Sequence, residues 1–319
     1  MRTSILFFVI ISFFYLAGCS INVGNQPIRP LEETVVEGEG SNKILILDIS
    51  GVIGEKPKGP SFLQNTIQPS GTALIKEQLR YAEKDAAVKA IILRIDSPGG
   101  EVTETDIIYH ELVEFRKRSQ KPIIASIMSV GASGAYYLSM AANKVVAHPT
   151  SIVGSIGIIM IHVNAAGLLE KIGVKEDSIF SGKFKNMGSP ARGFSEEERQ
   201  IFQDLLDDSH QRFKEIVAKG RSLDMKQVEE FADGRIFTSK QALDYKMIDQ
   251  IGYLNDAIEL AKSEAKIRDA QLILLNRPGD YKASIYSQLN DSPVKVNLVN
   301  FDFGSLFKGQ SPSLMYLWM

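Results

Sequence analysis

The chain has 319 residues, 44% of them hydrophobic and 23% charged, a composition that can build a sizeable core and excludes wholesale disorder. A formal net charge of -2 lacks the clustered Lys/Arg excess that phosphate backbones demand, so nucleic acid is excluded as the expected partner. A single cysteine, Cys19, excludes an internal disulfide and has to be read from its surroundings.

Those surroundings are "MRTSILFFVIISFFYLAGCS": a basic start at Arg2, an apolar run from Ile5 to Leu16, then small residues up to Cys19. This is the layout of an export signal, and the run is short for a membrane span. "LAGC" (16–19) resembles a lipoprotein lipobox, in which the cysteine carries the lipid; the alternative is an uncleaved anchor. Both readings attach the rest of the chain to a membrane, outside the cytoplasm, and leave inner or outer membrane open.

Residues 20–42 are polar, with prolines and glycines, and are expected to be a tether. "KILILDISGVIG" (43–54) predicts a buried strand, "GTALIKEQLRYAEKDAAV" (71–88) a helix, and "KAIILRID" (89–96) the next strand. A helix over 101–119, a strand over 122–130, a short helix from 133 and a strand over 144–149 follow. This alternation predicts an α/β architecture with largely parallel strands. From 195 the pattern is helical: Ser195 and Glu198 stand in capping-box register ahead of a helix ending near Gly220, and Asn255 is the expected cap of another over 255–267. The expected division is a signal or anchor at 1–19, a tether at 20–42, a catalytic α/β domain at 43–275 and a loosely patterned tail at 276–319.

Two small-residue turns could carry chemistry. In "SVGASGAYYLSMAAN" (129–143), Ser133 stands between a strand and a helix, where unpaired N–H groups favour negative charge. Gly131, Ala132, Gly134 and Ala135 let another backbone approach. The competing reading makes Ser133 an N-cap and nothing more. In "DSPGG" (96–100), Gly99 and Gly100 can turn backbone N–H groups toward a ligand, as an oxyanion hole requires. Adjacent parallel strands would bring both turns to one carboxyl edge, where sites of open α/β sheets gather.

A serine nucleophile needs a base. His110 and His210 lie in charged amphipathic helices, while His148 and His162 are the histidine candidates. A lysine serves only when neutral, so burial or a second positive charge must lower its reference pKa of about 10.4. "SIFSGKFKNMGSP" (178–190) offers Lys183 and Lys185, which in an extended chain would point the same way on either side of Phe184.

Taken together, "LRIDSPGG" (93–100), "GASGAYYLSMAANKVVAHPTSIVGSIGI" (131–158) and "SGKFKNMGSP" (181–190) resemble, in order, the motifs of the signal peptide peptidase A family. These are membrane-attached, self-compartmentalising serine proteases with a Ser-Lys dyad. The resemblance covers most of 43–270 and implies a Clp/crotonase-type α/β fold of repeated β-β-α units with a helical C-terminal part. It implies Ser133 as nucleophile and Lys185 as general base. Gly100 is implied as oxyanion donor with Gly99 and Gly134 in support, and Ser155 as the hydroxyl that holds the lysine. No cofactor or metal is implied. The short, single-copy form implies a homo-oligomeric ring, and the substrates implied are spent signal peptides and other apolar extended segments. Two departures stand out: Ala135 occupies a place where the family commonly has glycine, and a lipobox stands in place of the usual transmembrane helix. The rival readings are a crotonase-type acyl-CoA enzyme, which shares the fold, and a non-catalytic envelope scaffold.

Overall fold

The structure is a computed structural model that describes residues 30–54, 70–277, 285 and 314–318. The signal or anchor segment with Cys19, and most of the tail, lie outside the described residues. In chain order the elements are β1 (Glu32–Glu37), β2 (Lys43–Ser50), α1 (Gly71–Lys84), β3 (Val88–Ser97), β4 (Gly99–Glu101), α2 (Val102–Ser119), β5 (Ile123–Ala132) and α3 (Gly134–Ser139). They continue with β6 (Lys144–Ala147), β7 (Ile152–Gly154), β8 (Ile159–Met160), α4 (Ala166–Lys171), α5 (Glu196–Arg221), α6 (Met225–Glu229) and β9 (Ile236–Thr238). The last are α7 (Ser239–Asp244), β10 (Gln250–Ile251), α8 (Leu254–Glu264), β11 (Gln271–Asn276) and β12 (Leu314–Leu317).

The main sheet runs β1-β11-β2-β3-β5-β6-β10, parallel along this path except at the β1 edge, with β7 parallel to the end of β5 and β9 antiparallel to β7. Its central strands read as continuous apolar runs because helices cover both faces. Leu45, Leu47, Leu93 and Ile95 face one way and pack with Ile75 and Leu79 of α1 and Ile108 and Leu112 of α2. Ile44, Ile46, Ile92 and Ile124 face the other and pack with Leu254, Ala257, Ile258 and Ala261 of α8. The expected mixed α/β fold of largely parallel strands and helices is what the chain adopts.

Where the chain leaves the expected pattern, the reason is physical. The stretch expected to be a tether over 20–42 contributes β1, whose residues pair antiparallel with β11 from the far end of the fold. Its partner is more than 230 positions away, beyond the reach of any local pattern. Ser195 and Glu198 do form the capping box of α5, but that helix runs past Gly220 to Arg221 and ends with Ser222 in the left-handed region. Gly220 has a packing reason instead: a Cβ there would stand 2.9 Å from the Cβ of Met140. The cap of α8 is Tyr253 with Asp256, not Asn255; the Asp256 carboxylate accepts the Tyr253 N–H at 2.7 Å.

One feature of the sheet positions the site. Strand β5 pairs with β6 through Ile124–Ile127 and with β7 through Val130–Ala132. The strand therefore forks between two neighbours, and its last residues, just before Ser133, run alongside β7. A register shift between Ile95 and Ser97 marks the same level on β3, and there the Asp96 carboxylate accepts the Val130 N–H at 3.1 Å. Among the described residues no helix is long and apolar enough to cross a membrane.

Candidate active site

Ser133 joins β5 to α3 with φ 53° and ψ −119°, a conformation that costs a non-glycine residue about 1–3 kcal/mol. Its N–H donates to the Gly154 carbonyl at 2.7 Å and its own carbonyl accepts from Tyr137 N–H at 2.9 Å, so the backbone on both sides is held. The side chain is not a cap: no side-chain bond closes the N-terminus of α3. Ser133 is 1% exposed, and its Oγ has no hydrogen-bond partner. A buried unpaired hydroxyl costs on the order of 1–3 kcal/mol. Two separate costs at one serine mean that the residue is held for something other than stability.

The glycine turn lies against it. Ser97 Oγ accepts the Gly99 N–H at 3.1 Å and donates to the Gly51 carbonyl at 2.6 Å, which fixes the turn. On one edge of β4, Ile53 N–H donates to the Gly99 carbonyl at 2.8 Å and Glu101 N–H to the Ile53 carbonyl at 2.9 Å. That parallel bridge uses the groups on either side of Gly100 and leaves the Gly100 N–H on the opposite edge. Close approach explains the glycines. A Cβ on Gly100 would stand 2.0 Å from the Ile53 oxygen, and one on Gly99, whose φ is +99°, 2.7 Å from the Gly134 nitrogen. A Cβ on Gly134 would lie 3.3 Å from the Gly100 nitrogen. The backbone nitrogens of Gly100 and Gly134 thus both lie at the glycine turn beside the serine.

Ser155 follows Gly154 directly, is buried and has a positive φ of 51°; its N–H donates to the Arg235 carbonyl at 2.7 Å. Since Gly154 also accepts the Ser133 N–H, the two strained serines are one residue and one hydrogen bond apart. The lysine block behaves differently. Residues 181–188 form successive turns rather than an extended chain, so the expectation that Lys183 and Lys185 project the same way is corrected. Lys183 pairs with Glu197 and lies 5.0 Å over the Phe184 ring. Lys185 is exposed, with its N–H bonded to the Gly182 carbonyl at 3.1 Å. It is not brought to the hydroxyl of Ser133 within one chain.

His110 is exposed on α2, and the other three histidines are otherwise engaged. His148 Nδ1 is 2.9 Å from Thr150 Oγ1, with its ring edge-on to Tyr253. His162 Nε2 donates to the Ser189 carbonyl at 3.2 Å and its ring lies on Phe194, while His210 Nε2 donates to the Ile156 carbonyl at 3.2 Å. Among the described residues no group of His, Cys, Asp and Glu could hold a metal.

Sequence reasoning passed over two clusters near the turns. Tyr137, one helical turn beyond Ser133, donates to Asp106 Oδ1 at 2.5 Å, and Arg212 donates to the same oxygen at 2.6 and 3.1 Å. Arg192 donates to Asn186 at 3.2 Å (carbonyl) and 2.8 Å (side chain) and to Glu198 Oε2 at 2.7 Å, tying the lysine block to the start of α5. The Arg192 guanidinium, then the Ser195 N–H, hold the Glu198 carboxyl down to about 2. The i to i+4 spacing of Ser133 and Tyr137 on a helix is the one local signal for the first cluster; the second is a long-range pairing without one.

Residues 115–268 match peptidase family S49. The chain is 38% identical over 242 residues to the protein of Enterococcus faecium provisionally named signal peptide peptidase SppA, covering 76% of this chain and 69% of that one. It is 35% identical over 266 residues to the chloroplastic serine protease SPPA of Arabidopsis thaliana, and 34% over 221 residues to protease 4 of Haemophilus influenzae. It spans 38% and 34% of the length of those two relatives. The resemblance read from three short motifs and the strained, unpaired serine beside a close-packed glycine turn agree with these likenesses: the chain belongs to peptidase family S49, the signal peptide peptidase A family of serine proteases.

Proposed function

We propose that this protease is a membrane-attached endopeptidase with a Ser133–Lys185 dyad that degrades signal peptides and other apolar, extended peptides in the cell envelope. The observation that carries the reading is the Ser133 hydroxyl, buried and without a partner on strained backbone, beside the N–H groups of Gly100 and Gly134. Neutral Lys185 takes the Ser133 proton as Oγ bonds to the substrate carbonyl carbon, and the two N–H groups hold the oxyanion. Collapse breaks the C–N bond, the lysine ammonium gives its proton to the departing amine, and a water deprotonated by the same lysine releases the acyl group. Ser155 keeps the amine in line. Cys19 carries the lipid anchor.

In this reading a homo-oligomeric ring brings a lysine to each serine. The lysine-bearing stretch supports assembly, since Val163, Leu168, Ile172 and Ile179 are all exposed there and apolar surface of that kind marks interaction sites. The test is hydrolysis of an apolar signal-peptide-like substrate across pH by the wild type beside Ser133→Ala, Lys185→Ala and Lys183→Ala. Loss in the first two alone, with wild-type activity rising toward alkaline pH, is the expected result. Turnover by Lys185→Ala would place the base elsewhere. Co-assembly of Ser133→Ala with Lys185→Ala subunits then tells which protomer supplies the lysine, because activity returns only if it comes from the neighbour.

A further inference from the structure

Strand β5 is not regular on its way to Ser133. Ile127 stands opposite Ile95 of β3 and Gly131 opposite Ser97, so Met128, Ser129 and Val130 bulge past a single residue of β3, Asp96. The bulge folds the strand tightly: a Cβ on Gly131 would stand 2.6 Å from Ile127 Cγ2. Bulges free backbone groups, re-aim the chain that follows and gather next to active sites. Here side chains take the freed groups. Asp96 Oδ1 accepts the Val130 N–H at 3.1 Å, while the Asp96 carbonyl is turned away to accept the Gly51 N–H at 3.2 Å. From the side of β7, the buried Ser151 donates its hydroxyl to the Met128 carbonyl, with the Ile127 carbonyl 3.1 Å away.

These two side chains tie the bulge to the segments on either side of it. Asp96 begins the glycine turn: Ser97, next in the chain, accepts the Gly99 N–H and donates to the Gly51 carbonyl, and Gly100 follows. Ser151 precedes β7, whose Gly154 carbonyl accepts the Ser133 N–H at 2.7 Å and leads into Ser155. One carboxylate on β3 thus sets the level of β5 just ahead of Ser133. We propose that Asp96 is a positioning residue of the protease: its bond to Val130 holds Ser133 at the separation from Gly100 at which one substrate carbonyl meets both the nucleophile and the oxyanion donor. Ser151 performs the same service between Ser133 and Ser155. The role rests on the reading of Ser133 as nucleophile and Gly100 as oxyanion donor, and neither positioning residue touches substrate. A misplacement of about 1 Å between reacting groups costs on the order of 10²-fold in rate. An aspartate that did no more than satisfy a backbone amide would change stability and leave the transition state alone.

The test uses the full chain, an apolar signal-peptide-like substrate, and an apolar tripeptide aldehyde beside the matching tripeptide alcohol. Ser133 Oγ adds reversibly to the aldehyde carbon, its proton passes to the base, and the former carbonyl oxygen takes the oxyanion place; the alcohol binds without that bond. Asp96→Ala is expected to lower kcat about 10²-fold with KM nearly unchanged, and to weaken the aldehyde by the same factor while the alcohol binds as before. Asp96→Asn, which keeps an acceptor oxygen, recovers most of the loss. Asp96→Glu keeps both charge and acceptor but reaches one methylene further, and lowers kcat and aldehyde affinity about tenfold; it carries the test if the alanine variant does not fold. Ser151→Ala loses about tenfold in kcat, and the double variant loses less than the product of the two, because both hold one bulge. Equal weakening of aldehyde and alcohol, or an unchanged kcat in both Asp96→Ala and Asp96→Glu, overturns the proposal. A serine-reactive fluorophosphonate separates that failure from failure of the reading beneath it. Wild type that labels at Ser133 while the Asp96 variants keep full kcat defeats the positioning role alone, whereas wild type that neither labels nor prefers the aldehyde removes the nucleophile and the proposal with it.

Discussion

Every residue from Gly131 to Ala142 is buried, whereas between Ile161 and Met187 only Leu169 is. The first stretch carries the serine and the second carries the lysine, 52 positions later. The contrast shows two ways of placing a reactive group. A strained backbone can persist only where the surroundings over-determine it: Ser133 is clamped through Gly154, Tyr137 and the packed glycines. A base that must lose its proton needs a dry setting only while it works, so it can lie on open surface in the isolated chain. Under the proposed mechanism the nucleophile is fixed by the fold and the base by assembly.

The contrast is sharpest at Ser133. Ser133→Ala is expected to lower kcat by on the order of 10⁴-fold or more and to raise thermal stability, because the methyl side chain keeps the strain and removes the unpaired hydroxyl. Ser133→Gly is equally inactive and raises the melting temperature, since glycine accepts φ 53° without penalty. If either variant unfolds instead, the serine is a structural residue and the comparison fails. Next in size is Gly100→Ala, whose Cβ would meet the Ile53 oxygen. Activity falls by about 10²- to 10³-fold as the oxyanion donor moves, and denaturant melts show a loss of stability alongside.

Smaller effects belong to the exposed region. Arg192→Ala releases the lysine block from Asn186 and Glu198 and is expected to reduce kcat about tenfold and to lower the melting temperature, because the buried Glu198 carboxylate loses its partner. Its acid sensitivity has a definite sign. The Glu198 carboxyl is held down to about 2 in the folded chain, below its unfolded range near 4.3. The clasp therefore contributes fully above pH ~5 and is lost as pH falls through 4 toward 2. Limited proteolysis within 181–192 should accelerate over that interval in the wild type and be fast at all pH values in Arg192→Ala. Smallest is Lys183→Ala: its pairing with Glu197 joins two exposed side chains, contributes less than about 1 kcal/mol, and is expected to change neither kinetics nor stability measurably.

Much of this was legible in the sequence for a common reason. The strands β2, β3 and β5 and the helices α1, α2 and α5 announce themselves by local period and capping, and the two glycine-bearing turns fall at their ends. What was not legible depends on distant partners. β1 is a strand because β11 passes beside it, and β12 because β4 and β8 leave a gap of one strand's width. The turns over 181–188 are held through Arg192 to Asn186 and Glu198, which no alternation of residues reports. The unpaired state of the Ser133 hydroxyl was equally hidden, since a serine before a helix ordinarily caps it.

The place of β12 carries a consequence about conformation. Any chain in its place must offer main-chain groups to β4 on one side and β8 on the other, so a helix or a folded surface could not fill the gap however well its side chains fit. Backbone shape thus governs the gap before residue type does. Proline at 318, where Trp318 now gives its N–H to Pro98, would lack that donor, and Trp318→Pro should loosen β12 from β4.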